Sequence, residues 1–404
     1  MHTRCSWGAH QILTLASTVH FTMSRIALIE LSSGHCECLF SQIRFLREAG
    51  HDVVLFVHPD LAPRLQTTAI PLEVLPITSS SLINAWQVIM ALRRGWSKHG
   101  ISRVVFNTAS GSLFRKVALT MPFGLPTYAV VHDLHRLSNS WSQRVTLFRM
   151  KGLLVLADRL TARCQALTHI PTNFFYPAWF ATPKPGPTPV KAAPDVWLVT
   201  IGQIETKRRN YTALIEAAEA GWPDNLHIRV IGDATGVDGE DVLKRLRESR
   251  MKHCIHISDG FMDDDHIHRL LPYCDGILPL TDGNKRYRNE AVSGAFNLAF
   301  GYHLPLISGI REQPSIAEID DITLAPADHE RLVDLLRKLA FDSTELQQKQ
   351  TAMRQDPRWR FAASQKSYLR GIGLLQHDLR NGETSRFEEL ILAKISVGDK
   401  SPMA

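Results

Sequence analysis

Apolar and polar positions follow two periods along this chain, and the switch between them outlines its architecture. Residues 25–31 form an aliphatic run that ends at Ser32-Ser33-Gly34. Leu39, Phe40, Ile43, Phe45 and Leu46 then recur at helical spacing and close at Gly50. A second aliphatic run follows at 53–57. Strand, helix, strand in this order is a βαβ unit, which implies a parallel sheet covered by helices. Further strands are expected at 72–75, 104–106 and 128–131.

Prolines 177, 183, 185, 187, 189 and 194 then interrupt the pattern. At that density they suit neither a helix interior nor a central strand, so an extended linker is expected over 177–195. The alternation restarts beyond it. Strands are expected at 196–201, 226–231, 254–257, 276–280 and 304–308, and helices at 211–220, 241–250 and 265–273. The fold class expected is α/β, with two Rossmann-like doubly wound domains facing a central cleft, over 23–176 and 196–345. A helical segment, 346–391, is expected to return to the first domain. Residues 1–22 suit an extension or an upstream start rather than a signal peptide, because polar residues break their apolar part. Residues 392–404 read as a disordered tail.

Composition narrows the class. The chain has 404 residues, enough for two domains of ordinary size. Its 46 basic and 40 acidic residues leave a net charge of +6, which suits anionic ligands or an anionic membrane surface. No nucleic-acid motif accompanies that excess. The six cysteines are scattered, as in a reducing compartment. His35-Cys36-Glu37-Cys38 has no second Cys/His pair at zinc-like spacing and reads as a buried helix start. Asp263, Asp264 and Asp265 read as an acidic helix start rather than a metal site. No G-x-G-x-x-G follows the first strand, no P-loop is present and no G-x-S-x-G occurs. A bound nicotinamide, flavin or metal cofactor is therefore not expected.

Three stretches carry candidate chemistry. In IGQIETKRRNY, Gly202 lets backbone approach a ligand, and Lys207, Arg208 and Arg209 precede a helix start. Cations there run against the helix dipole, as at a phosphate site, although a solvated basic turn has the same residues. In EAVSGAFNLAFGYHLPLI, Ser293 is a candidate N-cap, and Gly294 and Ala295 are small enough to admit a phosphate to their backbone N–H groups. Glu290 is expected to point into the same cleft and accept sugar hydroxyls. The plainer alternative is that Ser293 simply caps while Glu290 offsets Lys285, Arg286 and Arg288. In VVHDLHRL, His132 and Asp133 lie just past a buried strand, where His132 can serve as acid, base or hydroxyl ligand, although a lone His-Asp pair after a strand is more often structural.

These stretches, in this order, resemble the GT-B glycosyltransferases, most of all family-4-like bacterial enzymes of cell-surface polysaccharide synthesis. SGHCECLFSQIRFLREAGHDVVLF is similar to the family's glycine loop, containing Gly34, and its first helix and strand. VVHDLH is similar to the family's donor-side histidine segment, and GQIETKRRNYTALIEA to the block whose basic residues hold the donor diphosphate. The family's paired glutamates, with seven residues between them, place the first on Glu290 and leave Leu298 at the second. That departure leaves base and ribose recognition open.

The resemblance implies a hexosyltransferase taking a nucleotide-sugar as co-substrate, retaining in stereochemistry and independent of metal. His132, Lys207 and Glu290 would act at the reacting centre. Gly34, Gly202, Arg208, Ser293, Gly294 and Ala295 would bind the donor. The acceptor implied is a glycan or polyprenyl-linked sugar in exopolysaccharide or lipopolysaccharide synthesis, with the protein cytoplasmic or peripheral at the inner membrane face. Residues 81–99 mix Leu82, Trp86, Ile89 and Trp96 with Arg93, Arg94 and Lys98. They suit a surface helix near anionic lipid, or equally a helix packed on the sheet with a basic end. Rival readings are a sugar-nucleotide epimerase or hydrolase of the same fold, or a partner subunit without catalysis.

Overall fold

A computed structural model of the protein describes residues 24–375, apart from 235, 259–261, 282–283, 311–315 and 328–329. The expected N-terminal extension, and everything from 376 onward including the tail, lie outside the described residues. Two parallel sheets organise the chain. The first has seven strands: β1 (Arg25–Glu30), β2 (Asp52–Val57), β3 (Leu72–Val74), β4 (Arg103–Phe106), β5 (Thr127–Val131), β6 (Gly152–Val155) and β7 (Thr172–Phe174). Their order is β3-β2-β1-β4-β5-β6-β7. The second has six: β8 (Val196–Ile201), β9 (Leu226–Ile231), β10 (Ile255–Ile257), β11 (Gly276–Ile277), β12 (Leu306–Ile307) and β13 (Thr323–Leu324), in the order β10-β9-β8-β11-β12-β13. This is the doubly wound α/β architecture expected, twice over.

Burial follows from the pleat. Ile26, Ala27, Leu28 and Ile29 are all fully buried, because successive side chains point to opposite, helix-covered faces. Ala27 and Ile29 pack in one core with helices Leu82–His99, Gly111–Leu119 and Trp141–Leu147. Ile26 and Leu28 pack in another with helices Cys36–Glu48 and Phe361–Gly371. The Phe361–Gly371 helix lies against β6 and β7, so the chain comes back to the first sheet after leaving the second. Between β7 and β8 the proline-rich stretch has no regular element.

Some elements depart from the sequence pattern. β6, a short apolar run, and β7 and β13, which include polar residues, are strands that the alternation did not single out. β11 and β12 are two residues each, since the apolar runs around them continue as buried loops leading into the cleft. The helix expected at 241–250 spans Gly236–Glu248. Within Leu82–His99, Ile89 and Trp96 face the sheet and are buried, while Leu82, Ile83 and Trp86 face outward.

Candidate active site

Each sheet has one point where strand order reverses, between β1 and β4 and between β8 and β11. Loops leaving neighbouring strands there diverge, which opens a crevice at the carboxyl ends. The two crevices meet in a cavity of about 450 Å³ between the domains.

On the first-domain side the floor is a buried hydrogen-bond network. The Glu30 carboxylate is fully buried at the end of β1. It accepts from Ser32 N and Oγ, both at 2.7 Å, from Asn107 Nδ2 at 2.6 Å and from Thr108 Oγ1 at 2.5 Å. Burial pushes its pKa up, and these four donors work against that shift. Asn107 also donates to the carbonyl of His35 at 2.9 Å and accepts from Gln42 Nε2 at 2.5 Å. The network therefore fixes the backbone that carries two histidines.

His35 and His132 both line the cleft, their rings 4.0 Å apart. His132 Nε2 lies 2.6 Å from the carbonyl oxygen of Asn107. A carbonyl only accepts, so Nε2 carries the proton and Nδ1 is an acceptor. Burial, then the nearby His35, depress the His132 pKa to about 3, keeping it neutral. His35 Nδ1 is 3.5 Å from Glu37 Oε1. Burial opposes a charged His35, and Glu37 outweighs it by contact and by charge, raising its pKa. The Glu37 carboxyl is lowered in turn: burial opposes its charge, and His35 prevails.

On the second-domain side, helix Gly294–Tyr302 points its first turn into the cleft. Ser293 is buried and lines the cleft, yet its side chain makes no capping bond. A Cβ added at Gly294 would meet nothing within 4 Å, so the helix start borders open space; Phe296 N is already bound to the Ser293 carbonyl at 2.9 Å, which leaves the Gly294 and Ala295 amides to a ligand. Asn297, one turn in, is buried with its Oδ1 lacking a partner among the described residues.

Of the three consecutive cations, Arg209 lines the cleft and Lys207 and Arg208 do not. Lys207 is exposed. Arg208 Nε pairs with Glu205 Oε1 at 2.6 Å on the outer surface. Gly202, with φ 125°, is where the chain must be glycine, because a Cβ there would collide with the Arg209 guanidinium. Arg209 donates to the carbonyls of Ile201, at 2.6 Å, and of Pro279. Burial lowers its pKa. The turn that follows β8 thus turns the third cation inward and leaves the first two in solvent.

Glu290 also differs from expectation. Its carboxylate does not line the cleft. Arg163 Nη2 is bound to Oε1 at 2.6 Å, and His135 Nδ1 lies 3.0 Å from Oε2. The backbone around it pairs with the first domain, through Leu134 N to Glu290 O at 2.7 Å and the Asp133–Ala291 bridge. Asp133 pairs across the cleft with Arg286, and Arg64 with Asp264. Gly34 lies in the β1 loop outside the cleft wall, where its neighbour His35 takes the lining position. The acidic run is used locally: Asp263 Oδ1 caps its helix by accepting from His266 N at 2.6 Å.

The cleft therefore brings together His132, Gly202, Ser293, Gly294 and Ala295, and leaves Gly34, Lys207, Arg208 and Glu290 outside its wall. His35, Glu37, Arg209 and Asn297 join it. Their one sequence signal is position: His35 five residues past β1, Arg209 in the turn between β8 and the next helix, and Glu37 and Asn297 in the first turn of a helix. Chemically, the second-domain wall offers a half-buried cation and helix-start amides to an anion. The first-domain wall offers a neutral imidazole acceptor and a histidine–glutamate pair to hydroxyl groups.

No family model matches the chain, and no curated protein sequence does. Solved structures match nearly its whole length. A protein from Listeria monocytogenes assigned as a UDP-N-acetylglucosamine 2-epimerase is 13% identical, covers 90% of this chain and 97% of its own, and has a TM-score of 0.61. A glycosyltransferase from Rickettsia africae is 11% identical over 87% of this chain and 98% of its own, with a TM-score of 0.59. HepE of Anabaena, in complex with UDP and glucose, is 13% identical over 93% of this chain and 100% of its own, with a TM-score of 0.52. At these identities the likeness is one of fold: two Rossmann-like domains facing a cleft, the GT-B arrangement.

Proposed function

We propose that the protein is a glycosyltransferase that moves a hexosyl group from a nucleoside-diphosphate sugar to a hydroxyl acceptor in the interdomain cleft. The observation that carries this reading is the uncapped start of helix Gly294–Tyr302, open to the cleft beside the half-buried cation Arg209. Breaking a sugar–phosphate bond leaves charge on a diphosphate. A fixed cation and oriented amides stabilise that charge without reorganising. Arg209 takes the place that the sequence assigned to Lys207. His132, with Nδ1 as an acceptor, holds a hydroxyl of the transferred sugar. Glu290 acts as a clamp between the domains.

Three finer features belong to the same reading. Transfer retains anomeric configuration, as the family resemblance implies, with Arg209 and the amides carrying the leaving-group charge. The acceptor is a glycan or lipid-linked sugar. The face of helix Leu82–His99 then rests on an anionic membrane: Leu82, Ile83 and Trp86 are 75%, 77% and 58% exposed, and Arg93 and Arg94 face solvent beyond them. Among the described residues no helix is long and apolar enough to cross a membrane.

The test is a sugar-nucleotide turnover assay with and without a lipid and glycan extract. Release of nucleoside diphosphate that requires the extract is the expected result. Consumption of donor with no acceptor present marks an epimerase or hydrolase instead, and no consumption at all marks a binding subunit.

A further inference from the structure

The second domain carries another cluster of ligand-type side chains, at the end of its sheet opposite the cleft. Asp224 lies in the turn before β9, and His253 and Cys254 end the turn before β10. β9 and β10 pair in parallel, with Ile228 opposite Ile255, so the two turns sit side by side. One ligand atom from each of the three residues lies within 4.8 Å of the other two. His253 Nε2 is 2.9 Å from Asp224 Oδ1, and Cys254 Sγ is turned to the same turn, 3.4 Å from the Asp224 carbonyl oxygen.

We propose that Asp224, His253 and Cys254 form a binding site for a divalent transition-metal ion of the zinc class. The donor set is one thiolate, one imidazole and one carboxylate, which suits a borderline-soft ion and not calcium or magnesium. Ligand atoms around tetrahedral zinc lie about 3–4 Å apart. The Asp224 and His253 side chains, 83% and 55% exposed, can turn toward the buried Cys254 sulfur, which the ion would draw from its contact with the Asp224 carbonyl oxygen. Both turns are already held. Trp222 Nε1 donates to Leu226 O at 2.8 Å, and Cys254 N donates to Met251 O at 2.9 Å. Water fills the remaining position. On binding, the Cys254 thiol proton passes to solvent and the ion takes the sulfur lone pair.

A neighbouring pair, His227 and His256, has ring nitrogens 3.2 Å apart. It is the poorer site. Burial first, and then the Arg229 guanidinium, lower the His256 pKa, and that cation would oppose a dication there too. Asp195, 3.6 Å from His227 Nε2, adds a carboxylate to that pair, which the His227→Ala variant tests directly. The proposed ion clips the two turns together and touches nothing in the cleft, so it stands or falls independently of the proposed activity.

The test is titration of the full-length protein, stripped with a chelator, with cobalt(II) and then zinc(II). The expected result is saturable one-to-one binding with a thiolate-to-cobalt charge-transfer band that zinc abolishes. Cys254→Ser should remove the band, and Asp224→Ala and His253→Ala should weaken binding at least about tenfold. The last two change exposed side chains, so they keep the test valid if the buried serine variant folds poorly. His227→Ala should bind as the parent does. Absence of saturable binding, a band that survives Cys254→Ser, or loss of binding in His227→Ala with His253→Ala unaffected would each overturn the assignment.

Discussion

His132 Nε2 sits 2.6 Å from the carbonyl oxygen of Asn107, and that contact decides what the imidazole offers the cleft. The proton is committed to the carbonyl, so Nδ1 accepts. With its pKa depressed to about 3, by burial first and His35 second, the ring stays in this state across the physiological range.

That state has a cost in acid. The unfolded chain protonates His132 near its ordinary pKa of about 6.5, whereas the folded chain resists until about 3. Unfolding therefore takes up a proton in this window, and stability falls as pH drops from 6.5 toward 3. Urea unfolding at pH 7 and pH 5 should show a loss from this source on the order of 1–2 kcal/mol. His132→Gln should lose correspondingly less. An equal loss in both proteins would mean that His132 is not held neutral.

Gly294→Asp separates anion binding from folding. The added side chain enters open space, so the fold tolerates it. An aspartate in the first turn also complements the helix dipole, by about 0.3–1 kcal/mol. The variant should melt at or slightly above the parent's temperature, yet lose sugar-nucleotide binding because its own carboxylate occupies the anion position. A variant that binds as well as the parent would remove the helix start from the site.

The Glu290–Arg163 pair should behave as a clamp. A double-mutant cycle with Glu290→Gln and Arg163→Met, read by thermal or urea unfolding, should give a coupling of about 0.5–1 kcal/mol, since the arginine is half exposed. Additive effects would show that the pair does not hold the domains.

The outward face of helix Leu82–His99 predicts membrane attachment. Ile83→Asp with Trp86→Asp should reduce co-sedimentation with anionic vesicles at least about tenfold and leave the melting temperature unchanged, because both side chains are exposed. Partition that ignores either anionic lipid or these substitutions would contradict it.

The sheets were legible because parallel strands buried on both faces read as unbroken aliphatic runs, as in β1, β2 and β8. β11 and β12 were located by their apolar runs but not their two-residue lengths, and β6, β7 and β13 were missed, since so few paired residues leave no period. In the site, His132 was legible as a titratable residue just past β5, and Ser293 and Gly294 as a capping and a small residue at the start of an apolar helix. Lys207 and Arg209 look alike in sequence, and only the path of the turn after Gly202 selects which one is inward. Glu290 carried the family pattern, but its partners, Arg163 and His135, belong to the other domain and are far away in the chain. His35 and Glu37 looked like a plain helix start until strand order put β1 next to β4, and the carboxyl end of β1 against the cleft.

The most direct measurement is calorimetric titration of UDP-, GDP-, dTDP- and CMP-hexoses into the parent, Arg209→Ala and Lys207→Ala proteins. The account predicts one site per chain for one of these donors. Affinity should fall at least about tenfold in Arg209→Ala, since a charged hydrogen bond contributes about 1.5–3 kcal/mol, and stay near the parent value in Lys207→Ala. No binding of any sugar nucleotide, or binding untouched by loss of Arg209, would contradict it.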